Sequence, residues 1–427
     1  MKVLVCDDVA ARSARIADRI TDAGRSRPHQ ILEPHLTEEL KKLFESIKTF
    51  FKDPKTTASL PRLLFEGADI IILDNNLTHL EVTGARLTAE SIAGYVRAFS
   101  NAVYIISLNK NLDVDFDLRF LVGDYSTRAD LALNTDHLAN PALWTGSPAK
   151  AKDGFLPWYW PRLEEAASRR RKQNEFVTKH LDRPVFESLG FIDDEAISLL
   201  SAHAIGALSP SAAPDGVYQD AGPIRKLTFR DVFVAENRSL PVKEEREQLN
   251  EAEQGGNLIA RGIMARIVAA DIDHWFRRDI IGPQEPLVDV PHLLLRMPFL
   301  LGVRANDIKK WNESAHAKTP PYGLERKLYD EHLARWKFGH EIWVPHACFW
   351  WHKLRVDERL NDLFFGVKEG DWADVVFCED RSIFLERSPQ QGGGPSEFPA
   401  EFEGPWTRRY VARIDKYKYA PRSRLAI

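Results

Sequence analysis

The sequence predicts an α/β chain. Its first third is expected to form a five-stranded parallel sheet flanked by helices; a mainly α-helical region and a small C-terminal α+β or β-rich part follow. Three observations carry this. Short apolar runs bounded by turn residues recur at Met1–Asp8, Gly67–Asn76 and Asn101–Asn109. Helix-period segments lie between them, and that alternation predicts parallel strands with helical crossovers. The first two runs also end in acid, at Asp7-Asp8 and at Asp74, and the carboxyl edge of an open sheet is where such folds place ligands.

Each element follows in order. MKVLVCDD is the first strand. VAARSARIADRITDAG reads as an amphipathic helix with Val9, Ile16 and Ile20 on one side and Gly24 as its C-terminal cap. His29–Leu32 is a short second strand, and Thr37–Lys52 is a further helical stretch before Asp53-Pro54. Ile70–Leu73 is a buried-strand run stopped by Asp74, and LTAESIAGYVRAF is the next helix. NAVYIISLN is a fourth strand carrying Ser107 near its end, and Ala129–Leu133 is the fifth, ending at Asn134. Between these last two, DFDLRFLVGDYSTR is poorly periodic and predicts a short or distorted helix.

If the first and third strands are neighbours, Asp7, Asp8 and Asp74 converge at one edge. Like charges at such range need a cation or shifted pKa values. A small set of oxygen-only ligands suits Mg²⁺, which keeps waters and is completed by a phosphate.

With Ser107 one strand over, this constellation resembles the receiver domain of two-component response regulators, a flavodoxin-like fold. Leu77 and Gly84 follow Asp74 much as a leucine and a glycine follow that family's acceptor. The resemblance covers roughly the first third of the chain. It implies Mg²⁺ on Asp7, Asp8 and Asp74, phosphoryl acceptance at Asp74, and Ser107 as the hydroxyl that reads the phosphate. It also implies an upstream histidine kinase or phosphotransfer protein, and a homodimer through the receiver-like domain. The sequence departs from the family in three ways. Asn134 stands where the family has a strand-five Lys, and Lys110, on a different loop, is the cation nearest Ser107 in sequence. The usual Pro after the acceptor loop is missing, and the Thr37–Lys52 stretch is extra.

The 427 residues, 44% hydrophobic, allow two or three cores. The boundaries read as residues 1–145 for the receiver-like domain and 146–161 for a Pro- and Trp-rich linker. Residues 162–369 follow as a mainly helical output or interaction domain, and 370–427 as the small terminal part. A formal charge of −4 gives no electrostatic reason to expect nucleic acid or an anionic membrane. Three cysteines, an odd and sparse set, predict reduced thiols and a cytoplasmic setting. No apolar run reaches membrane-span length, and the N-terminus opens on a strand, so no signal peptide is expected.

In the second half, Arg162–Leu181 is a helix whose run Arg169–Lys172 reads as a solvated basic face. DDEAISLLSAHAIGAL reads as one helix, with His203 read as a core residue, and KLTFRDVFVAEN as a strand. Glu244–Gln254 is expected to be charged and exposed, and Leu258–Ile281 a helix with one apolar stripe. Asp271, Asp273 and His274 fall on that helix at spacings that do not converge. Asp289 and His292 form a weak polar pair in a Pro-punctuated segment expected to be buried. His340, His346, Cys348 and His352 are the one zinc-like grouping, with Cys348 and His352 on one helix face at i, i+4. Beyond Gly370, ADVVFCEDRSIFLERS and WTRRYVARIDKYKY read as strands around QQGGGP. Near these strand ends Cys378, Glu379, Asp380 and Glu386 lack a nuclease order, because Arg387 and Ser388 follow Glu386.

The function expected is a response-regulator-like signalling protein, in which phosphoryl acceptance at Asp74 with Mg²⁺ controls a C-terminal output or interaction module that carries no recognisable family motif. The alternative is a degenerate receiver fused to an enzyme effector regulated by assembly, with the His340 cluster as its candidate metal site. The further alternative is a nucleic-acid-binding output, for which no helix-turn-helix is recognisable.

Overall fold

The computed structural model describes residues 1–24, 30–32, 36–53, 63–77, 80, 87–108, 128–145, 162–209, 222–235, 241–281, 286–315, 323–340, 342–344, 346–365, 372–378, 381–386 and 409–410. Residues 146–161, Lys110, Gly84, residues 115–127, Glu379, Asp380 and the Gly-rich loop lie outside them.

The alternating pattern of the N-terminal third gives a mixed α/β arrangement. β1 (Lys2–Cys6), α1 (Ala10–Ala23), β2 (Gln30–Leu32), α2 (Leu36–Lys52), β3 (Ile70–Asp74), α3 (Ala89–Phe99), β4 (Tyr104–Leu108) and β5 (Leu131–Leu133) follow one another. The strands form one five-stranded sheet in the order β2-β1-β3-β4-β5, with every pair parallel. Gly67, at φ +71°, supplies the left-handed turn residue that feeds β3.

The period of two sorts the strand side chains onto two faces. Val3, Val5, Ile70, Ile72, Ile106, Leu131 and Leu133 face α1 through Ile16 and Ile20. Leu4, Cys6, Ile71, Leu73 and Ile105 belong to the other core, with Leu40, Leu43 and Ile47 of α2 and Ile92 and Val96 of α3. Val9 does not join the α1 stripe. It is the N-cap residue of α1, with extended backbone, and it is 38% exposed.

α4 (Leu163–His180) begins just beyond the 146–161 segment. Its Leu163, Ala166 and Ala167 pack on the α1 face of the sheet, while Val177 packs with the helical half. Arg170 overturns the reading of a solvated basic face. It is 1% exposed, donates to Asp130 Oδ1 at 2.6 Å and to Asp273 Oδ2 at 3.1 Å, and its Nη1 reaches the Ala269 carbonyl at 2.9 Å. Its neighbours Arg171 and Lys172 are exposed, and Arg171 pairs with Asp69.

α5 (Leu258–Trp275) runs on into a π-helical turn at Phe276–Ile280. The single stripe expected of it gives way to burial on nearly all sides: Ala260, Met264, Val268, Ala269 and Ile272 are buried along with Ile263 and Ile267. A helix apolar all round is a central helix, and α5 packs against both α3 and α4. Arg266 ties it to α3 by donating to the carbonyls of Arg97 and Ala98 at 3.0 and 2.5 Å. A cation there meets unsatisfied carbonyls and the negative end of the α3 dipole.

Other readings also change. KLTFRDVFVAEN is helical at Phe229–Val234, because Thr228 and Asp231 close a reciprocal capping box that outweighs the β-branched content. DDEAISLLSAHAIGAL splits into Asp194–Ser198 and Ala202–Leu208, since Ser201 caps a new helix. His203 is exposed rather than core. Lys243–Gln254 is a helix that buries Arg246, Leu249, Ala252 and Glu253. The Pro-punctuated segment is largely buried, as expected, though Val303 stands out at 98% exposure. Val375–Cys378 and Ile383–Glu386 pair as an antiparallel hairpin, with Arg409–Tyr410 parallel to the first strand. Among the described residues no helix is long and apolar enough to cross a membrane.

Candidate acidic site at the sheet edge

Register puts the acids side by side. Cys6 pairs with Leu73 and Leu73 with Ser107, so Asp7 and Asp74 each lie one residue past a paired position on adjacent strands. Oxygens of Asp7, Asp8 and Asp74 lie within 4.8 Å of one another. Asp7 and Asp74 are 7% and 3% exposed. Asp7 Oδ1 also accepts from the Val9 amide at 2.9 Å, which fixes the turn from β1 into α1. At that separation two unit charges repel by about 3 kcal/mol, taking the effective dielectric near a protein surface and before compensation. The donor set is all oxygen, anionic and converging, and it fits a hard divalent cation of the Mg²⁺ kind.

Ser107 sits at the same edge on β4, 3% exposed. Cys6 is no nucleophile here. Burial pushes its thiol well above the usual range, and the charges of Asp7 and Glu39 add to that. Asn134 is committed elsewhere: its side-chain oxygen accepts from the His137 amide at 2.7 Å and caps the helix Thr135–Leu138. Lys110 lies outside the described residues.

No family model matches this chain, and no curated protein or solved structure does either. The site therefore stands on its own geometry.

The zinc-like grouping expected at His340, His346, Cys348 and His352 does not assemble. Cys348 lies in the strand Cys348–Trp350 and His352 in the helix Trp351–Arg355. The extended Trp350 backbone between them breaks the i, i+4 relation. His340 packs edge-on to Phe176, with ring centroids 5.5 Å apart. His352 instead meets Asp193 and Glu195, remote in sequence. Asp289 caps a helix by accepting from the His292 amide at 2.8 Å, so that pair is structural.

At the opposite edge of the sheet lies a charged network that sequence reasoning missed. Asp130 precedes β5. Its Oδ2 accepts from the Ile105 amide at 2.8 Å and meets Arg97 at 3.0 Å. Burial alone would raise its pKa, but Arg97 and Arg170 outweigh that and hold the carboxyl well below the usual range. Asp273 accepts from Gln173 at 2.8 Å and pairs with Arg170 and Arg277. His274 lies 3.9 Å from Asp130 and is held neutral by burial, its pKa lowered to about 3. Asp273 and His274 thus share one network through Arg170, where helix spacing alone argued against convergence. Asp271 faces Arg128 instead, at 3.9 Å. These partners are far apart in sequence, so no local pattern could have disclosed them.

Proposed function

We propose that the N-terminal sheet, with its flavodoxin-like strand order 2-1-3-4-5, is a receiver-like phosphoryl acceptor governing the helical half. The observation that carries this reading is the convergence of Asp7, Asp8 and Asp74 within 4.8 Å at the carboxyl edge. An Asp74 carboxylate oxygen attacks phosphorus on a donor phosphohistidine or small acyl phosphate. The donor's P–N or P–O bond breaks as the aspartyl P–O bond forms, and the electron pair leaves with the donor. Asp7, Asp8 and Asp74 would hold Mg²⁺, which would supply positive charge to offset three carboxylates and an incoming phosphoryl group. Ser107 then donates its hydroxyl hydrogen to a phosphoryl oxygen.

The route to the helical half runs along β4. Two residues before Ser107, the Ile105 amide is held by Asp130, and Asp130 holds Arg170 of α4. Repacking of β4 at its Ser107 end therefore bears on the joint between sheet and helices.

Asn134 favours a second reading. Where the resembled family has a Lys, this side chain caps a helix. A receiver-shaped domain that takes no phosphate, joined to an effector controlled by assembly, would need no cation there. Incubating the full chain with a small acyl phosphate and Mg²⁺ separates the two. A base-labile phosphoryl group on the wild type, absent from Asp74→Asn, supports the first; no incorporation at all supports the second.

A further inference from the structure

We propose that Asp193, Glu195 and His352 form a binding site for a divalent transition-metal cation of the zinc class, independent of the acidic edge. One ligand atom from each lies within 4.8 Å of the others. Asp193 and Glu195 flank the start of the short helix Asp194–Ser198, and His352 comes from the helix Trp351–Arg355. A bound ion would tie together segments more than 150 residues apart in sequence.

Two carboxylates alone would make only a polar helix start. The second observation is His352 itself. It is 5% exposed, and both ring nitrogens are buried without a hydrogen-bond partner. A buried imidazole with neither nitrogen satisfied carries an uncompensated desolvation cost. A metal ion would remove part of that cost while using a nitrogen already aimed at two carboxylates. Trp350 closes one side of the ring, edge-on with centroids 5.8 Å apart. Burial, with Lys353 adding, lowers the His352 pKa against the opposing pull of Glu195 and Asp193.

The mixed nitrogen and oxygen set separates this site from the all-oxygen edge. Imidazole with carboxylates suits Zn²⁺ and its first-row neighbours rather than Mg²⁺. Three protein ligands leave a position for water, and Glu195, with its side chain 55% exposed, gives solvent access.

Lys353 holds the cation's place in this structure. Its ammonium lies 3.0 Å from Asp193 Oδ2 and 2.6 Å from Glu195 Oε2. Asp193 Oδ1 meanwhile accepts from the Ala196 amide at 2.8 Å, which fixes the carboxylate. Metal and ammonium compete for the same two carboxylates, so the site carries an internal competitor.

Zn²⁺ titration of the full-length protein by calorimetry, in saturating Mg²⁺ to occupy the acidic edge, tests the proposal. One Zn²⁺ per chain is expected. His352→Gln and Glu195→Gln should each lose that site or weaken it at least tenfold, and Asp74→Asn should leave it unchanged. Lys353→Gln should tighten it about tenfold. Glu195 is the most solvent-facing member, with its side chain 55% exposed, and Lys353 is half-buried rather than core, so their variants report even if His352→Gln fails to fold. Unchanged Zn²⁺ affinity in Glu195→Gln and Lys353→Gln, or loss of the site in Asp74→Asn, overturns the proposal.

Discussion

Arg170 of α4 and Asp130 at the start of β5 form an ion pair at 2.6 Å, with both side chains shut off from water. The pair joins the sheet to the helical half. Asp130 also holds the Ile105 amide of β4, and Arg170 also holds Asp273 of α5. A buried pair of this kind adds little over an apolar substitute, but breaking it leaves an uncompensated charge.

Arg170→Met strands Asp130 and Asp273 together. It should cost about 3–5 kcal/mol of unfolding free energy. Urea unfolding followed by tryptophan fluorescence and by far-UV circular dichroism measures this. The two probes should also coincide in the wild type, because sheet and helices share this joint. Wild-type transitions that separate by probe would show that the halves unfold independently.

Stability should fall as the solution is acidified from about pH 6.5 towards 3. Burial lowers the pKa of both His137 and His274 to about 3. In that window the unfolded chain binds protons at these positions and the folded chain does not, so lowering pH favours unfolding. The urea midpoint should drop between pH 7 and pH 4.5, and the drop should be smaller in His137→Leu. An equal drop in the variant would remove His137 from the account.

Thr228→Ala removes half of the capping box at Phe229–Val234. A loss of about 1 kcal/mol is expected in the same urea assay. No measurable loss would mean that packing of Phe229 and Phe233, both fully buried, sets that helix without its cap.

On the proposed reading, in which Mg²⁺ binds the assembled acidic edge and not the unfolded chain, it should raise the melting temperature of the wild type by mass action. Asp8→Asn should lose most of that increase. Differential scanning calorimetry with and without Mg²⁺ decides it, and an equal increase in both proteins would place the ion elsewhere.

Much of the N-terminal sheet was legible because its information is local. Apolar runs such as Ile70–Leu73 end in acids, and the period of two assigns each side chain a face. Parallel neighbours then bring Asp7 and Asp74 together without further assumption. The helical half was read less well because its decisive contacts are long-range. Arg170 looks like one member of an exposed basic run until Asp130 and Asp273 close on it from 40 and 103 positions away. His352 seemed to belong with Cys348, four residues before it. Its neighbours are instead Asp193 and Glu195, and the strand-to-helix break at Trp350 accounts for the difference. Phe229–Val234 shows the reverse case, a local signal present in Thr228 and Asp231 but outvoted by β-branched residues.

The most direct test of phosphoryl acceptance at the acidic edge is to trap the product. The full chain would be incubated with a small acyl phosphate and Mg²⁺, reduced with borohydride, and mapped by peptide mass spectrometry, since reduction converts an aspartyl phosphate to homoserine. Homoserine at position 74, dependent on Mg²⁺, is the predicted result. Intact aspartate at position 74, with phosphate found on another residue or nowhere, would contradict the account.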